Sequence, residues 1–450
     1  MKELRDYQKQ NAINGNEILK RLKIVYLAME VRTGKTVTAF EIAKLGNFKN
    51  VLFLTKKKAI SSIKNDYADF GYEFSLTVIN DESMHTVVDD FDLVIHDEHH
   101  RFGAFPKPGV VTKAYKERFS KLPMIFLSGT PHPESYSQIF NQFWISENSP
   151  FKQYKNFYQW FGGMEFVKTT FDLGYGPVNN YSNNEETIYK YFSLQLRKLN
   201  KQDPSYINKK NEIQVEQSKQ IAQMHKANAN LMQIIDPYMI KQTQVNAGFN
   251  SSVNETVLHC KMKPVTYDLV KRLKKDLVIQ GKSEVILADS AVKLQGKMHQ
   301  LYSGTIKFES GNTCIIDPSK AEFIKERFKS NKVGIFYKFQ AELQMIKEVF
   351  GDAICTDLDT FNSTDKSIAL QIVSGREGIS LSKADYLVYL NLDFSSLSYW
   401  QSRDRLTTMD RKNNDVFWIF AEGGIEDYIY NSVIAKKDYT TSVFKKQFLS

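Results

Sequence analysis

"KIVYLAMEVRTGKTVTAFEIAKL", residues 23–45, is the stretch on which the fold turns. "KIVYLA" has the length and β-rich make-up of a buried strand, and "VTAFEIAKL" has the spacing of a helix. Between them lies "VRTGKT", residues 31–36. Gly34 allows close backbone approach, the amides at the helix start face an anion, and Lys35 brings a point charge. The Thr36 hydroxyl is suited to hold Mg²⁺, so the turn has the parts needed to cradle the phosphates of a nucleoside triphosphate. It departs from the full GxxxxGK[ST] pattern, because Met29 stands at the first glycine. Taken alone, the turn leaves an ordinary strand-to-helix connection open as well.

Working outward, residues 1–145 hold three further apolar runs, "NVLFLT", "DLVIHDE" and "MIFLSGT", each followed by a helical pattern or a loop. Continuous apolar strands alternating with helices predict a parallel sheet covered on both faces, with ligands beyond the carboxyl ends of the strands. Residues 146–250 read as polar and aromatic helical stretches, broken by the turn-rich "GYGPVNNYSNNEE" at 174–186. From 251 to 450 a second alternating series follows: "KVGIFYKF", "DAICTD", "SIALQIVSG", "YLVYLNLD" and "DVFWIFAE". The expected architecture is α/β, with two parallel-sheet lobes and a helical insertion. A chain of 450 residues exceeds one ordinary core.

Composition is that of a soluble globular protein, with 42% hydrophobic and 25% charged residues. Sixty Lys and Arg against 51 Asp and Glu give a net charge of +9, which suits a polyanionic partner and is shared by many basic proteins without one. Cys260, Cys314 and Cys355 are far apart and form no CxxC pair, which argues for a reducing interior. The N-terminal "MKELRDYQKQ" lacks an apolar core, and no apolar run reaches the ~18 residues of a membrane span. A cytoplasmic protein without membrane attachment is expected.

"DLVIHDEHH" supplies the partner that the phosphate-type loop needs. Asp97 and Glu98 end an apolar strand, where one carboxylate can reach Mg²⁺ through water and its neighbour can orient or deprotonate an attacking water. A solvated acidic strand end is the plainer alternative. His99 and His100 have no third ligand at zinc spacing. Loop and carboxylates in one lobe favour a nucleoside triphosphatase over either plainer reading.

With these residues in place, the chain resembles the superfamily 2 helicases, and most of all their Swi/Snf-type DNA translocase branch in a compact, phage-like form. "LRDYQ" (4–8) resembles the entry motif whose glutamine reads adenine, which makes Gln8 the base-specificity candidate. "MEVRTGKT" resembles motif I, carrying Arg32, Thr33, Gly34, Lys35 and Thr36. "VLFLTKKK" is similar to motif Ia, "DEHH" to motif II and "LSGTP" (127–131) to motif III. "VINDESMH", "DPYMIKQT" (236–243), "KMHQLYSG" (297–304) and "DPSKAEFI" (317–324) are further matches to that branch. "IVSGREGISLSKADYLVYLNLDFSSLSYWQSRDR" resembles motifs V and VI, placing Gly378 on the motif V glycine, Gln401 at the start of motif VI and Arg405 on its first arginine. Where the family has a second arginine this chain has Thr408, with Arg411 three residues on. The arginine that meets the transferred phosphoryl is thus left between Arg405 and Arg411, with Arg403 a lesser candidate.

The resemblance implies two RecA-like lobes that bind ATP and Mg²⁺ and act on DNA, duplex in preference to single-stranded. It implies Thr55, Lys56, Lys338 and Ser374 as nucleic-acid contacts. It also suggests a monomer working in phage-type replication, recombination or repair, with accessory proteins supplying any further specificity. A slowly hydrolysing, nucleotide-gated DNA clamp and an RNA helicase stand as alternatives. Phe143, Trp144, Phe157, Tyr158, Trp160 and Phe161 recur at helix-like spacing, so a helical core is preferred for them over base stacking. The C-terminal "GGIEDYIYNSVIAKKDYT" resembles a closing helix with a structural, bracing role.

Overall fold

The computed structural model describes residues 2–87, 90–133, 135–172, 176–249, 252–281, 283–375, 380–406 and 413–434. It divides into two compact units, Met1–Ala247 and Gly248–Ser450. Each is built on a six-stranded, all-parallel sheet, the α/β layout expected from the alternating series.

In the first unit the strands are β1 Ile24–Met29, β2 Asn50–Thr55, β3 Ser75–Asn80, β4 Leu93–His96, β5 Met124–Ser128 and β6 Met239–Gln242. Their order across the sheet is β3-β2-β4-β5-β1-β6. Successive side chains on a strand face opposite ways, and here both faces are covered. Val25, Leu27, Phe53, Ile95 and Ile125 enter one core with Phe40, while Ile24, Tyr26, Leu54, Val94 and Phe126 enter another. Helix α1 (Asp6–Leu22) lies against α2 (Lys35–Leu45) so closely that a Cβ on Gly15 would stand 2.5 Å from the Ile42 Cδ1.

Residues 146–247 belong to this unit. Its 30-residue helix Tyr206–Ile235 carries Ala227, Leu231 and Ile235 at four-residue spacing into the second of those cores, then leads into β6, which pairs with β1. Phe143, Phe157, Trp160 and Phe161 are buried in the same core, as their spacing suggested. Trp144 packs at its margin under the Lys116 ammonium, 3.7 Å from the ring centroid, and Tyr158 is exposed. The stretch read as turn-rich holds the strand Pro177–Asn180, which pairs antiparallel with Thr169–Asp172 just before it.

The second unit's strands are β7 Ser252–Cys260, β8 Val333–Tyr337, β9 Ile354–Cys355, β10 Ser367–Gln371, β11 Tyr386–Tyr389 and β12 Asn413–Ala421. They lie in the order β9-β10-β8-β11-β12-β7. Tyr389 stacks on Trp418 at 3.8 Å between centroids, inside one continuous core. The closing helix Glu426–Ile434 buries Ile429 and Val433 there. Its Glu426 pairs with Lys320 at 2.6 Å, both side chains wholly buried. Such a pair is stable only when both partners are present, since removing one strands a charge in a medium that cannot solvate it. Among the described residues no helix is long and apolar enough to cross a membrane.

Candidate functional site

Because all six strands of the first sheet run the same way, the carboxyl ends of β1, β2, β4 and β5 open onto one edge, and each delivers a sequence-predicted residue there. The loop between β1 and α2 has two left-handed residues, Arg32 at φ 69° and Gly34 at φ 85°. Turns of this kind gather backbone N–H groups into a concavity that accepts an anion. A Cβ on Gly34 would also stand 2.1 Å from Gln8 Nε2, so a side chain there would both strain the backbone and push the Gln8 amide from its place. Lys35 Nζ donates to the carbonyls of Met29 at 2.9 Å and Glu30 at 3.3 Å.

Helix α1 holds that loop from outside. The Thr33 carbonyl accepts from Tyr7 Oη at 3.0 Å and from Gln8 Nε2 at 3.3 Å, while Gln8 Oε1 accepts from the Arg5 amide at 2.9 Å. These bonds use one of the two N–H groups and one of the two lone pairs of the Gln8 amide. From the far side, the Gln244 amide donates to Glu30 Oε2 at 2.6 Å, and its side chain donates to the Val31 carbonyl at 3.0 Å.

The acidic turn follows β4. Asp97 accepts from Thr55 Oγ1 at 3.0 Å and from the Glu98 amide at 3.0 Å. Burial, with the neighbouring Glu98 carboxylate, pushes the Asp97 carboxyl up to about 6, against the opposing charge of Lys35. Two neighbouring carboxylates, one of them accepting from the Thr55 hydroxyl, feel the charge of one ammonium; their oxygens are hard donors, and a divalent cation would relieve the crowding. The residues present therefore fit Mg²⁺ together with a triphosphate. Glu98 itself is left-handed at φ 48°, a conformation that disfavours a side chain. Its Oε2 lies 3.4 Å from His100 Nδ1, which is 2.9 Å from Ser128 Oγ, and that oxygen accepts from the Thr130 amide at 3.1 Å. Gly129 completes the convergence, since a Cβ there would stand 3.5 Å from the Met29 carbonyl of the loop.

Beneath the turn runs a buried polar ladder. Burial holds His99 well below the usual imidazole range, hence neutral with a single N–H, which Nε2 gives to the Gln142 carbonyl at 2.9 Å. His99 Nδ1 must then accept from His96 Nδ1, 2.6 Å away. His96 Nε2 faces Asp81 Oδ1 at 3.2 Å, and a carboxylate can only accept. His96 thus links His99 to the Asp81 carboxylate. Although burial opposes it, the charges of His96 and Arg101 keep the Asp81 carboxyl below its ordinary range. Gln142 extends the ladder, accepting from Tyr26 Oη at 2.7 Å and donating to the Pro131 carbonyl at 2.7 Å.

Of the predicted nucleic-acid contacts, Thr55 is buried and turned to Asp97, while Lys56 is half-buried at the head of the short helix Lys57–Ala59. In the second unit Lys338 pairs with Asp393 at 3.0 Å and lies 3.6 Å from the Phe394 ring centroid. Ser374 falls in the short helix Ile372–Gly375 and Gln401 in Ser396–Arg403. Gly378, Thr408 and Arg411 lie outside the described residues. Arg405 is 5% exposed, and its carbonyl accepts from the Leu381 amide. Arg403 is bound to Glu255 at 2.9 Å, and Glu255 also accepts from Tyr399, Trp418 and Tyr430.

Sequence reasoning passes over Tyr7, Asp81, Gln142, Gln244 and Glu255. Asp81 lies inside "VINDESMH", a stretch the resemblance singles out, and Gln244 directly follows "DPYMIKQT". For Gln142 and Glu255 no local pattern exists, because Tyr26 is 116 residues from Gln142 and the partners of Glu255 are 144 residues or more away in sequence.

No protein-family profile matches the chain, and no curated protein is similar to it. Among solved structures it is similar to the Sulfolobus solfataricus SWI2/SNF2 ATPase core in complex with dsDNA, at 15% identity and a TM-score of 0.40, over 99% of this chain and 93% of that one. It is likewise similar to the SWI2/SNF2 ATPase core domain of the same organism, at 15% identity and a TM-score of 0.39, over 100% and 91% of the two chains.

Proposed function

We propose that the protein is an ATP- and Mg²⁺-dependent motor on DNA, duplex in preference to single-stranded, that couples hydrolysis to translocation or strand separation. The observation that carries this reading is the meeting, at one edge of the first sheet, of the left-handed loop Arg32–Thr36, the Lys35 ammonium and the paired carboxylates Asp97 and Glu98. Lys35 is assigned to the β and γ phosphates, Thr36 and Asp97 to the metal, and Glu98 to the attacking water. Mg²⁺, when bound, would neutralise charge on the phosphate oxygens. Gln8 is assigned to the adenine edge, using the amide N–H and lone pair that its loop contacts leave over. Gly378 is assigned to the nucleotide and Gln401 to the motif VI machinery. Arg405, with Arg411 as the other candidate, is assigned to the charge that develops on the transferred phosphoryl.

Lys56, Lys338 and Ser374 are proposed to face the DNA backbone, where phosphate contacts grip without sequence preference, and Thr55 to support that edge from behind through its bond to Asp97. A role in phage-type replication, recombination or repair, as a cytoplasmic monomer with accessory proteins, belongs to the same proposal. A second reading, a nucleotide-gated clamp with slow turnover, draws on Thr408 standing where the family has its second arginine. Steady-state ATP hydrolysis with and without duplex, single strands or RNA separates the two. Stimulation by duplex that disappears in Lys35→Ala and Glu98→Gln supports the motor. Nucleotide-dependent DNA binding with negligible turnover would replace it with the clamp.

A further inference from the structure

We propose that Asp81 is a positioning residue for the acidic turn, and this rests on the nucleoside triphosphatase reading above. The turn from β4 runs through Asp97 and Glu98 and then into the short helix His99–Phe102. One buried carboxylate touches both of its ends. Asp81 Oδ1 meets His96, the residue before Asp97, at 3.2 Å, and Oδ2 forms an ion pair with Arg101, three residues after Glu98, at 2.8 Å. The intervening backbone is strained at Glu98, where φ is 48°. A side chain in the left-handed region persists only where its surroundings over-determine it. Asp81 is one such restraint, acting from the end of β3 on the neighbouring chain segment. The His99 bond to Gln142 and the His100 contact with Ser128 are others, and they fix the middle of the turn.

The bonded partners of Asp81, His96 and Arg101, are not among the residues assigned to the nucleotide or the metal, although its charge also acts on Lys56. Its effect on the chemical step is therefore exerted through where Asp97 and Glu98 stand. Loosening the clamp should misplace the metal and water carboxylates while leaving Lys35 and the loop amides in place. Binding and turnover would then separate: displacement of a reacting group by about an ångström can lower rate a hundredfold.

The test compares Asp81→Asn, Arg101→Gln and the double variant with wild type, all as the full chain. Arg101 is partly exposed, so its variant keeps the question open if Asp81→Asn fails to fold. The expected result is a fall in kcat of about tenfold to a hundredfold with KM for ATP within about twofold, and a double variant no worse than the worse single one. A second readout needs no nucleotide: in the free protein, the slowly exchanging imidazole N–H resonances of His96 and His99 should shift in Arg101→Gln, since Arg101 pairs with the carboxylate that His96 meets. Folded variants with wild-type kcat, additive losses, or unmoved imidazole resonances would overturn the inference. A wild-type chain that turns over no ATP would overturn the underlying reading and this inference with it, whereas an active wild type beside equally active variants defeats the inference alone.

Discussion

Thr55 Oγ1 donates to Asp97 Oδ2 across 3.0 Å, tying the end of β2 to the acidic end of β4. A hydroxyl expected to face a nucleic-acid groove is buried and bonded to the carboxylate proposed to hold the metal. Thr55→Val keeps the shape and removes the donor. A hydrogen bond to a charged group contributes about 1.5–3 kcal/mol, so ATP turnover should fall by about tenfold or more while DNA affinity stays near wild type. Weakened DNA binding with turnover intact, measured by anisotropy and steady-state hydrolysis, would return Thr55 to the groove.

Gly34→Ala should abolish nucleotide binding, because a methyl at φ 85° is strained and would strike Gln8 Nε2. Gln8→Ala is milder and more informative. Losing the bond to the Thr33 carbonyl should weaken every nucleoside triphosphate, and losing the remaining amide N–H and lone pair should weaken ATP further than GTP. Equal losses for ATP and GTP in equilibrium binding would leave Gln8 as a loop anchor only.

What could be read from sequence, and what could not, follows from where each element lies in its sheet. Interior strands such as Ile24–Met29, Met124–Ser128 and Val333–Tyr337 are buried on both faces, so they stand out as unbroken apolar runs. The edge strands Ser75–Asn80 and Ser252–Cys260 are half solvated, carry polar residues, and merge into their polar surroundings, while Met239–Gln242 is mostly buried but too short to stand out from its polar flanks. The same holds for the site. Lys35, Asp97 and Glu98 are legible because each sits at a strand end where local pattern meets chemistry. Asp81 and Glu255 act only through partners that the tertiary fold brings to them, and a run of sequence does not display a contact.

Two buried histidines set an expected response to acid, one in each unit. Burial holds both His99 and His299 well below 6.5, and His299 is stacked on Phe394 at 4.9 Å with Phe339 edge-on at 5.4 Å. The unfolded chain takes up these protons as pH falls through 6.5 and the folded chain does not. Their contribution to stability is thus complete above 6.5 and declines below it, by up to about 1.4 kcal/mol per pH unit for each group. Asp97 acts in the opposite sense: raised to about 6, it binds a proton in the folded chain first and offsets part of the loss between pH 6 and 4. Melting midpoints should be level between pH 7 and 8 and drop below 6.5. His299→Phe, which keeps an aromatic ring between Phe394 and Phe339, should flatten that drop, and an unchanged slope would place the titrating groups elsewhere.

Lys338 is the proposed DNA contact whose present partners compete with its role. Its ammonium is 3.0 Å from Asp393 Oδ1 and 3.6 Å from the Phe394 ring centroid. Asp393 is itself fixed by the Ser398 hydroxyl and the Phe394 amide, each at 2.9 Å. Burial pulls the Lys338 ammonium below its usual range, and the Asp393 charge works against that pull. A phosphate that binds Lys338 has to displace a carboxylate already in place. Asp393→Asn removes the competing charge and keeps the shape, so it should tighten DNA binding and add about one counterion to the salt dependence, a slope change near 0.9. Lys338→Ala in that background should remove the gain. If Lys338 only braces the second unit, Asp393→Asn will lower that unit's melting temperature and leave both DNA affinity and its salt dependence unchanged, since removing one member of a largely desolvated ion pair leaves the other uncompensated.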